Sequence, residues 1–348
     1  MTGTVRTATP VTVLTGFLGS GKTTLVSTLL RHPDAGRVAI IVNELGEIGI
    51  DDLLVEPVAE DVALVGGGCL CCSVRGDLLA ALDGLLARRE AGTLPPFDRV
   101  VVETTGLADP APVLHTLMGA RGPLPGACLA GLVTVVDGVE GARQLDRHRE
   151  CARQVALADR LVISKADLVT PGWLDALEQR LGALNPWAPM LRSAMGSVGP
   201  SDIFAGAAAP SRPAAWRVRK PAPESGAVEA PDPHAGDTRA FCVTRAQPFS
   251  RAVLGMWLSR VLARLGDRVL RVKGLVAVAG SPGPLVVNAV QHRLYPPGRL
   301  GAWPSADHRS RLVFIVTGDL EREVTGILTR LEEEHGGGWS PHRVGYTT

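Results

Sequence analysis

Gly16-Phe17-Leu18-Gly19-Ser20-Gly21-Lys22-Thr23 decides the reading of this chain. A short apolar run, residues 11–15, precedes it, and a helical pattern over residues 22–31 follows. Between a strand and a helix, the spacing G-x-x-x-x-G-K-[ST] lets the backbone curl until successive N–H groups aim at phosphate oxygens. The start of the following helix adds its own preference for anions. Gly16, Gly19, Ser20, Gly21 and Thr24 then build the cradle. Lys22, at an exposed loop position, reaches the β- and γ-phosphates, and the Thr23 hydroxyl binds Mg²⁺. A nucleoside triphosphate site is the expectation.

Working outward, apolar runs at residues 11–15, 38–42, 62–65, 100–102, 132–136 and 161–163 alternate with helical stretches at 22–31, 77–89, 112–118, 147–157 and 173–184. Continuous rather than alternating apolar runs belong to strands covered on both faces, the pattern of a mostly parallel sheet. The fold class is therefore α/β, a P-loop nucleotide-binding fold over residues 1–204. Residues 205–238 hold six prolines and ten alanines without periodicity and read as a linker. Residues 239–335 read as a smaller α+β domain, with strands near 240–244, 269–278, 285–290 and 311–316 and helices at 249–265 and 320–334. A Gly-rich tail, 336–348, closes the chain.

Two further segments fit a nucleotide site. Val100-Val101-Val102-Glu103-Thr104-Thr105-Gly106 is an apolar strand ending in an acid, which puts Glu103 at the carboxyl edge of the sheet, where open α/β sheets bind ligands. There Glu103 acts on Mg²⁺ or on the attacking water, and the Gly106 N–H senses the γ-phosphate. In Leu161-Val162-Ile163-Ser164-Lys165-Ala166-Asp167, the Asp167 carboxylate accepts two N–H bonds from a guanine edge while the Lys165 stem lies over the base. Adenine has no matching donor pair, so the segment selects GTP. Ser164 stands where Asn or Thr is usual, which weakens the base-side scaffold and leaves ATP open.

Cys69-Leu70-Cys71-Cys72 follows three glycines. Three thiols cannot be satisfied by one bridge, and adjacent cysteines rarely pair with each other. Three soft ligands on a glycine-fed loop suit Zn²⁺, Co²⁺ or another thiophilic ion, with a fourth position left for exchange. Cys128, Cys151 and Cys242 read as plain core residues, and the eight histidines form no ligand pattern.

Composition narrows the classes. With 36 Lys and Arg against 35 Asp and Glu, the chain has a formal charge of +1, which argues against a protein that coats nucleic acid or an anionic membrane. No apolar run approaches the roughly 20 residues a bilayer span needs, and the first residues lack an apolar leader. Clustered cysteines point to metal chemistry in a reducing compartment, so the cytoplasm is expected.

Residues 16–24, Asn43-Glu44-Leu45-Gly46-Glu47-Ile48-Gly49-Ile50-Asp51, the cysteine cluster, residues 103–106 and 164–167 occur in an order that resembles CobW-like metal-chaperone GTPases. The likeness continues through Arg271-Val272-Lys273-Gly274 and Leu312-Val313-Phe314-Ile315. That resemblance implies that residues 43–51 are the first switch, that Glu44 joins the metal site, and that the second domain helps in partner recognition. It implies a GTPase that carries Zn²⁺ or Co²⁺ to an apo-metalloprotein client, with homodimerisation open. Cobalt delivery to corrinoid synthesis, activation of one metalloenzyme such as a nitrile hydratase, and a metal-sensing scaffold are the alternatives. Many relatives carry a His-rich linker; this chain does not, which argues against metal storage.

Overall fold

A strand that is apolar on both faces must be covered on both, and the helices of this chain alternate with its strands so as to do that. The computed structural model describes residues 8–43, 55–59, 62–65, 69–73, 78–118, 126–204 and 238–334. The chain divides into two compact units, residues 1–238 and 239–348. The segments expected as linker and tail lie outside the described residues, apart from Thr238, which opens a strand.

In the first unit the order is β1 (Thr9–Gly16), α1 (Lys22–Arg31), β2 (Val38–Asn43), β3 (Val55–Ala59), β4 (Val62–Val65), β5 (Cys69–Ser73), α2 (Leu78–Glu90), β6 (Arg99–Thr104) and α3 (Ala111–Leu117). β7 (Ala127–Asp137), α4 (Gly141–Arg147), α5 (Arg149–Leu157), β8 (Arg160–Ser164), α6 (Pro171–Leu184), β9 (Met190–Arg192) and α7 (Pro200–Phe204) complete it. The sheet runs β3-β4-β5-β2-β6-β1-β7-β8-β9. β5, β2, β6, β1, β7, β8 and β9 are parallel neighbours. On one face Leu25, Val26 and Leu29 of α1 pack with Leu14, Val101 and Val133. Elsewhere Val155 of α5 and Leu174 and Leu177 of α6 pack with Leu161 and Ile163. Each such side chain, fully buried, contributes roughly 1.5–3 kcal/mol.

Three expectations need correction here. Residues 62–65 are a strand, but β4 runs antiparallel to both β3 and β5. The cysteines stand on the strand β5, not on a loop: β4 and β5 are two apolar runs joined through three glycines, the sequence signature of a hairpin. The helix expected over 147–157 is α5, which starts two residues later because His148 has an extended backbone (φ −129°, ψ 111°), and the separate helix α4 before it was not expected. Among the lone cysteines Cys151 is buried as expected, Cys242 only partly, and Cys128 is exposed near the start of β7. The Cys151 thiol is pushed up to about 12, chiefly by burial and then by Glu150.

The second unit contains β10 (Thr238–Arg245), α8 (Arg251–Leu265), β11 (Val269–Val276), β12 (Leu285–Val290), β13 (Arg293–Leu294), β14 (Gly298–Arg299), β15 (Ser310–Thr317) and α9 (Glu321–Glu334). Its sheet order is β10-β15-β11-β12-β13, with β14 beside β12. β11 is antiparallel to both β12 and β15. α8 and α9 pack on this sheet through Trp257, Leu258, Val261, Val324 and Leu328. Trp257 is fully buried, and its indole N–H is satisfied by the Val324 carbonyl at 3.1 Å. Among the described residues no helix is long and apolar enough to cross a membrane.

Candidate functional site

The carboxyl edge of the parallel strands gathers most of the residues singled out from sequence. Where β1 ends, Gly16 has φ 147°, and a Cβ there would lie 2.3 Å from the Val135 carbonyl oxygen. Only glycine lets the chain turn out of the sheet at this point. Across the loop, a Cβ on Gly106 would lie 2.6 Å from the Leu18 nitrogen, so the segment after β6 packs backbone to backbone against the phosphate loop.

Lys22 is not exposed, as its loop position suggested; it is 7% accessible. Its ammonium donates to the Gly16 carbonyl at 2.9 Å and the Phe17 carbonyl at 3.3 Å. The curled loop turns these carbonyls inward, and the lysine neutralises the cluster they form. One residue on, the Thr23 hydroxyl donates to Glu103 Oε1 at 3.3 Å. Glu103 is 5% accessible. Threonine hydroxyl and buried carboxylate are hard oxygen donors held close together, a donor set that fits Mg²⁺. The Thr104 hydroxyl donates to the Thr15 hydroxyl at 2.8 Å and locks β6 to β1 at this edge.

The base-side segment joins the same cluster. The Ser164 hydroxyl donates to the Ser20 carbonyl at 2.6 Å. Ser164, which stands where Asn or Thr is usual, closes directly on the phosphate loop through this bond. Lys165 takes a left-handed backbone (φ 53°, ψ 32°), and its ammonium pairs with Asp137 Oδ2 at 2.7 Å. Asp167 lies exposed on the single 3₁₀ turn Ala166–Leu168. That turn is tied down by the Ala166 N–H donating to the Ser193 carbonyl at 3.1 Å. Thr24 is exposed on α1, and its carbonyl accepts from the Thr28 hydroxyl.

Two residues absent from the motif reading belong to this edge. Asp137 ends β7, its side chain 3% accessible. Its signal was present: Val135-Val136-Asp137-Gly138 repeats the pattern of an apolar strand closing on an acid, seen also at Glu103. Gln154 on α5 is 1% accessible, and its amide donates to the Gly106 and Ala108 carbonyls, each at 3.1 Å. A lone glutamine within an amphipathic helix carries no such signal.

The cysteines are placed by strand register. Ile40 stands opposite Cys71 and Ile41 opposite Cys72, while Ile41 also stands opposite Val102 of β6. Val65 pairs with Cys69 at the start of β5, so the chain leaves β4 at the edge opposite the phosphate loop. The segment of residues 44–51, with Glu44, lies outside the described residues.

Residues 10–192 match the CobW/HypB/UreG nucleotide-binding domain, and residues 238–329 match the C-terminal domain of the cobalamin synthesis protein CobW. The chain belongs to the CobW/HypB/UreG family. The zinc chaperone YjiA of Escherichia coli K12 is 30% identical over 310 residues, 88% of this chain and 93% of that protein. The Sinorhizobium zinc chaperone CobW is 30% identical over 358 residues, covering 92% of this chain and 97% of that one. Zinc-regulated GTPase metalloprotein activator 1 of Schizosaccharomyces pombe is 32% identical over 194 residues, 54% of this chain and 46% of its own length. The crystal structure of Zn(II)-bound YjiA GTPase from Escherichia coli has a TM-score of 0.72 at 28% identity, covering 93% of this chain and 99% of that one. The CobW architecture thus extends over both units.

Proposed function

We propose that this protein is a GTP-hydrolysing metallochaperone that carries zinc on Cys69, Cys71 and Cys72 and hands it to an apo-metalloprotein client. The observation that supports the nucleotide half is the Thr23–Glu103 contact beside the buried Lys22, which joins a phosphate loop to a buried carboxylate. Zinc is favoured over cobalt because the relatives matched over nearly their whole length are zinc chaperones.

In this reading Lys22 exchanges its two loop carbonyls for phosphate oxygens when nucleotide enters. The backbone N–H groups of Gly19, Gly21, Lys22 and Thr23 meet the β-phosphate, while that of Ser20 stays on the Phe17 carbonyl. The Gly106 N–H meets the γ-phosphate, with Gln154 holding the carbonyl of the same residue. Thr23 and Glu103 would hold Mg²⁺, which would supply charge neutralisation to the transferring phosphoryl group. Asp167 reads the guanine edge, and Lys165 lines the base. Loss of the γ-phosphate releases the loop around Gly106 and the switch at residues 43–51, which changes the surroundings of the cysteine strand.

Anaerobic purification with GTP and Mg²⁺, followed by metal analysis, tests the whole. The expected result is zinc in stoichiometric amount, lost when Cys69, Cys71 and Cys72 are all replaced by serine, with GTP hydrolysis retained. Zinc retained by the triple variant, or ATP hydrolysed as fast as GTP, would overturn it.

A further inference from the structure

We propose that Asp137 is a specificity-determining residue that acts at one remove: it holds Lys165 in the pose that selects guanine. The proposal rests on the guanine reading of residues 164–167 above. A lysine side chain has four rotatable bonds and, left to itself, spreads its ammonium into water. Here it does not. The Lys165 ammonium sits 2.7 Å from Asp137 Oδ2, and the partners are unequal, with Lys165 38% accessible and Asp137 only 3%.

The carboxylate is aimed before the lysine arrives. Asp137 Oδ1 accepts from the Val139 N–H at 2.8 Å and the Glu140 N–H at 3.2 Å, so the turn after β7 fixes its plane and presents Oδ2 outward. The turn is itself pinned at both ends of one residue. The Gly138 N–H donates to the Ser164 carbonyl at 2.9 Å, and the Trp173 indole N–H donates to the Gly138 carbonyl at 2.7 Å. Ser164 in turn closes on Ser20 of the phosphate loop. With its backbone left-handed and its head group anchored, Lys165 presents an apolar four-carbon stem as a fixed platform beside Asp167. A purine ring that stacks on that stem is thereby held in register with the carboxylate that reads its edge. The geometry assigns Asp137 to nucleobase choice, whereas Glu103, at the corresponding end of β6, serves the phosphates.

The test is a double-substitution cycle read by equilibrium titration of GDP and ADP. Asp137→Asn keeps an oxygen for the Val139 and Glu140 N–H groups and replaces the charged acceptor that faces Lys165 with an amide donor. Asp137→Asn and Lys165→Met should each weaken GDP binding about tenfold and change ADP binding less than about twofold. Together they should do no more than either alone, since both remove one coupled pair. Asp137→Glu, which keeps the charge, should recover part of the lost GDP affinity even if the Asn variant folds poorly. Multiplying losses in the double variant, or equal losses for GDP and ADP, would overturn the role of Asp137. Wild-type protein that binds ADP as tightly as GDP would instead fail the guanine reading and take this proposal with it.

Discussion

The Ser164 hydroxyl donates a 2.6 Å hydrogen bond to the Ser20 carbonyl, across the boundary between base-side segment and phosphate loop. The two residues are far apart in sequence, yet the bond is fully buried, with Ser20 0% accessible. In the proposed reading it couples recognition of the base to the shape of the phosphate cradle. A neutral hydrogen bond contributes about 0.5–1.5 kcal/mol. Ser164→Ala should therefore weaken GDP binding by about two- to tenfold, measured by calorimetric titration. Unchanged affinity would show that the two segments bind independently.

Lys22 serves the folded protein as well as the chemistry, because its ammonium satisfies two loop carbonyls. Lys22→Ala should abolish GTP hydrolysis and also lower the melting temperature, by about 2–4 °C for each kcal/mol lost. Turnover near that of the wild type would refute the phosphate-loop assignment.

Asp167 is exposed and contributes little to the core. In the proposed reading its work is done on the ligand, and hydrogen bonds to a charged group are worth about 1.5–3 kcal/mol. Asp167→Ala should weaken GTP binding by about ten- to a hundredfold and leave ATP binding nearly unchanged. Equal losses for both nucleotides would count against guanine selection.

Much of this architecture was legible in the sequence. The apolar runs at 11–15, 100–102, 132–136 and 161–163 lie in β1, β6, β7 and β8, because strands covered on both faces read as near-continuous apolar runs. In the second unit, the strand near 285–290 and the helix at 320–334 were also legible; the helix is α9, one residue shorter at its start. Partners across the chain were not legible. Nothing local foretells that Gln154 reaches Gly106, that Asp137 meets Lys165, or that Lys22 buries itself among carbonyls. Such contacts depend on which strands become neighbours. The direction of β4 is not legible for the same reason: Val62-Ala63-Leu64-Val65 is apolar in either orientation, and only the glycines after it point to the hairpin.

The second unit should carry a pH signature of its own. Glu332 is buried beside Arg245, at 2.8 Å. Burial pushes its carboxyl above the ordinary carboxylate value, and Arg245 pulls it only partly back. The folded form then holds the proton more tightly than the unfolded chain. Stability from this group is full below the unfolded value and is lost as pH rises through the folded one. Melting temperatures measured from about pH 4 to 7 should decline less steeply with rising pH in Glu332→Gln than in the wild type. Parallel profiles would show that the carboxyl titrates alike in both states.

The central claim is that nucleotide state controls metal affinity. The route is not a shared loop edge, since β4 points away from the phosphate loop. It is lateral, through β2: Cys72 stands opposite Ile41, and Ile41 opposite Val102, the residue before Glu103. In the proposed mechanism a γ-phosphate that orders the loop after Glu103 and the segment after Asn43 would pre-organise the neighbouring cysteine strand and lower its ordering cost on metal binding. Couplings of this kind are about 1–3 kcal/mol, roughly five- to 150-fold in affinity. The most direct measurement is an anaerobic zinc titration against a chromophoric chelator, with GDP or a non-hydrolysable GTP analogue bound. The account predicts tighter zinc binding in the analogue state by that factor, with the difference abolished in Cys71→Ser. Equal zinc affinity in the two nucleotide states would contradict it.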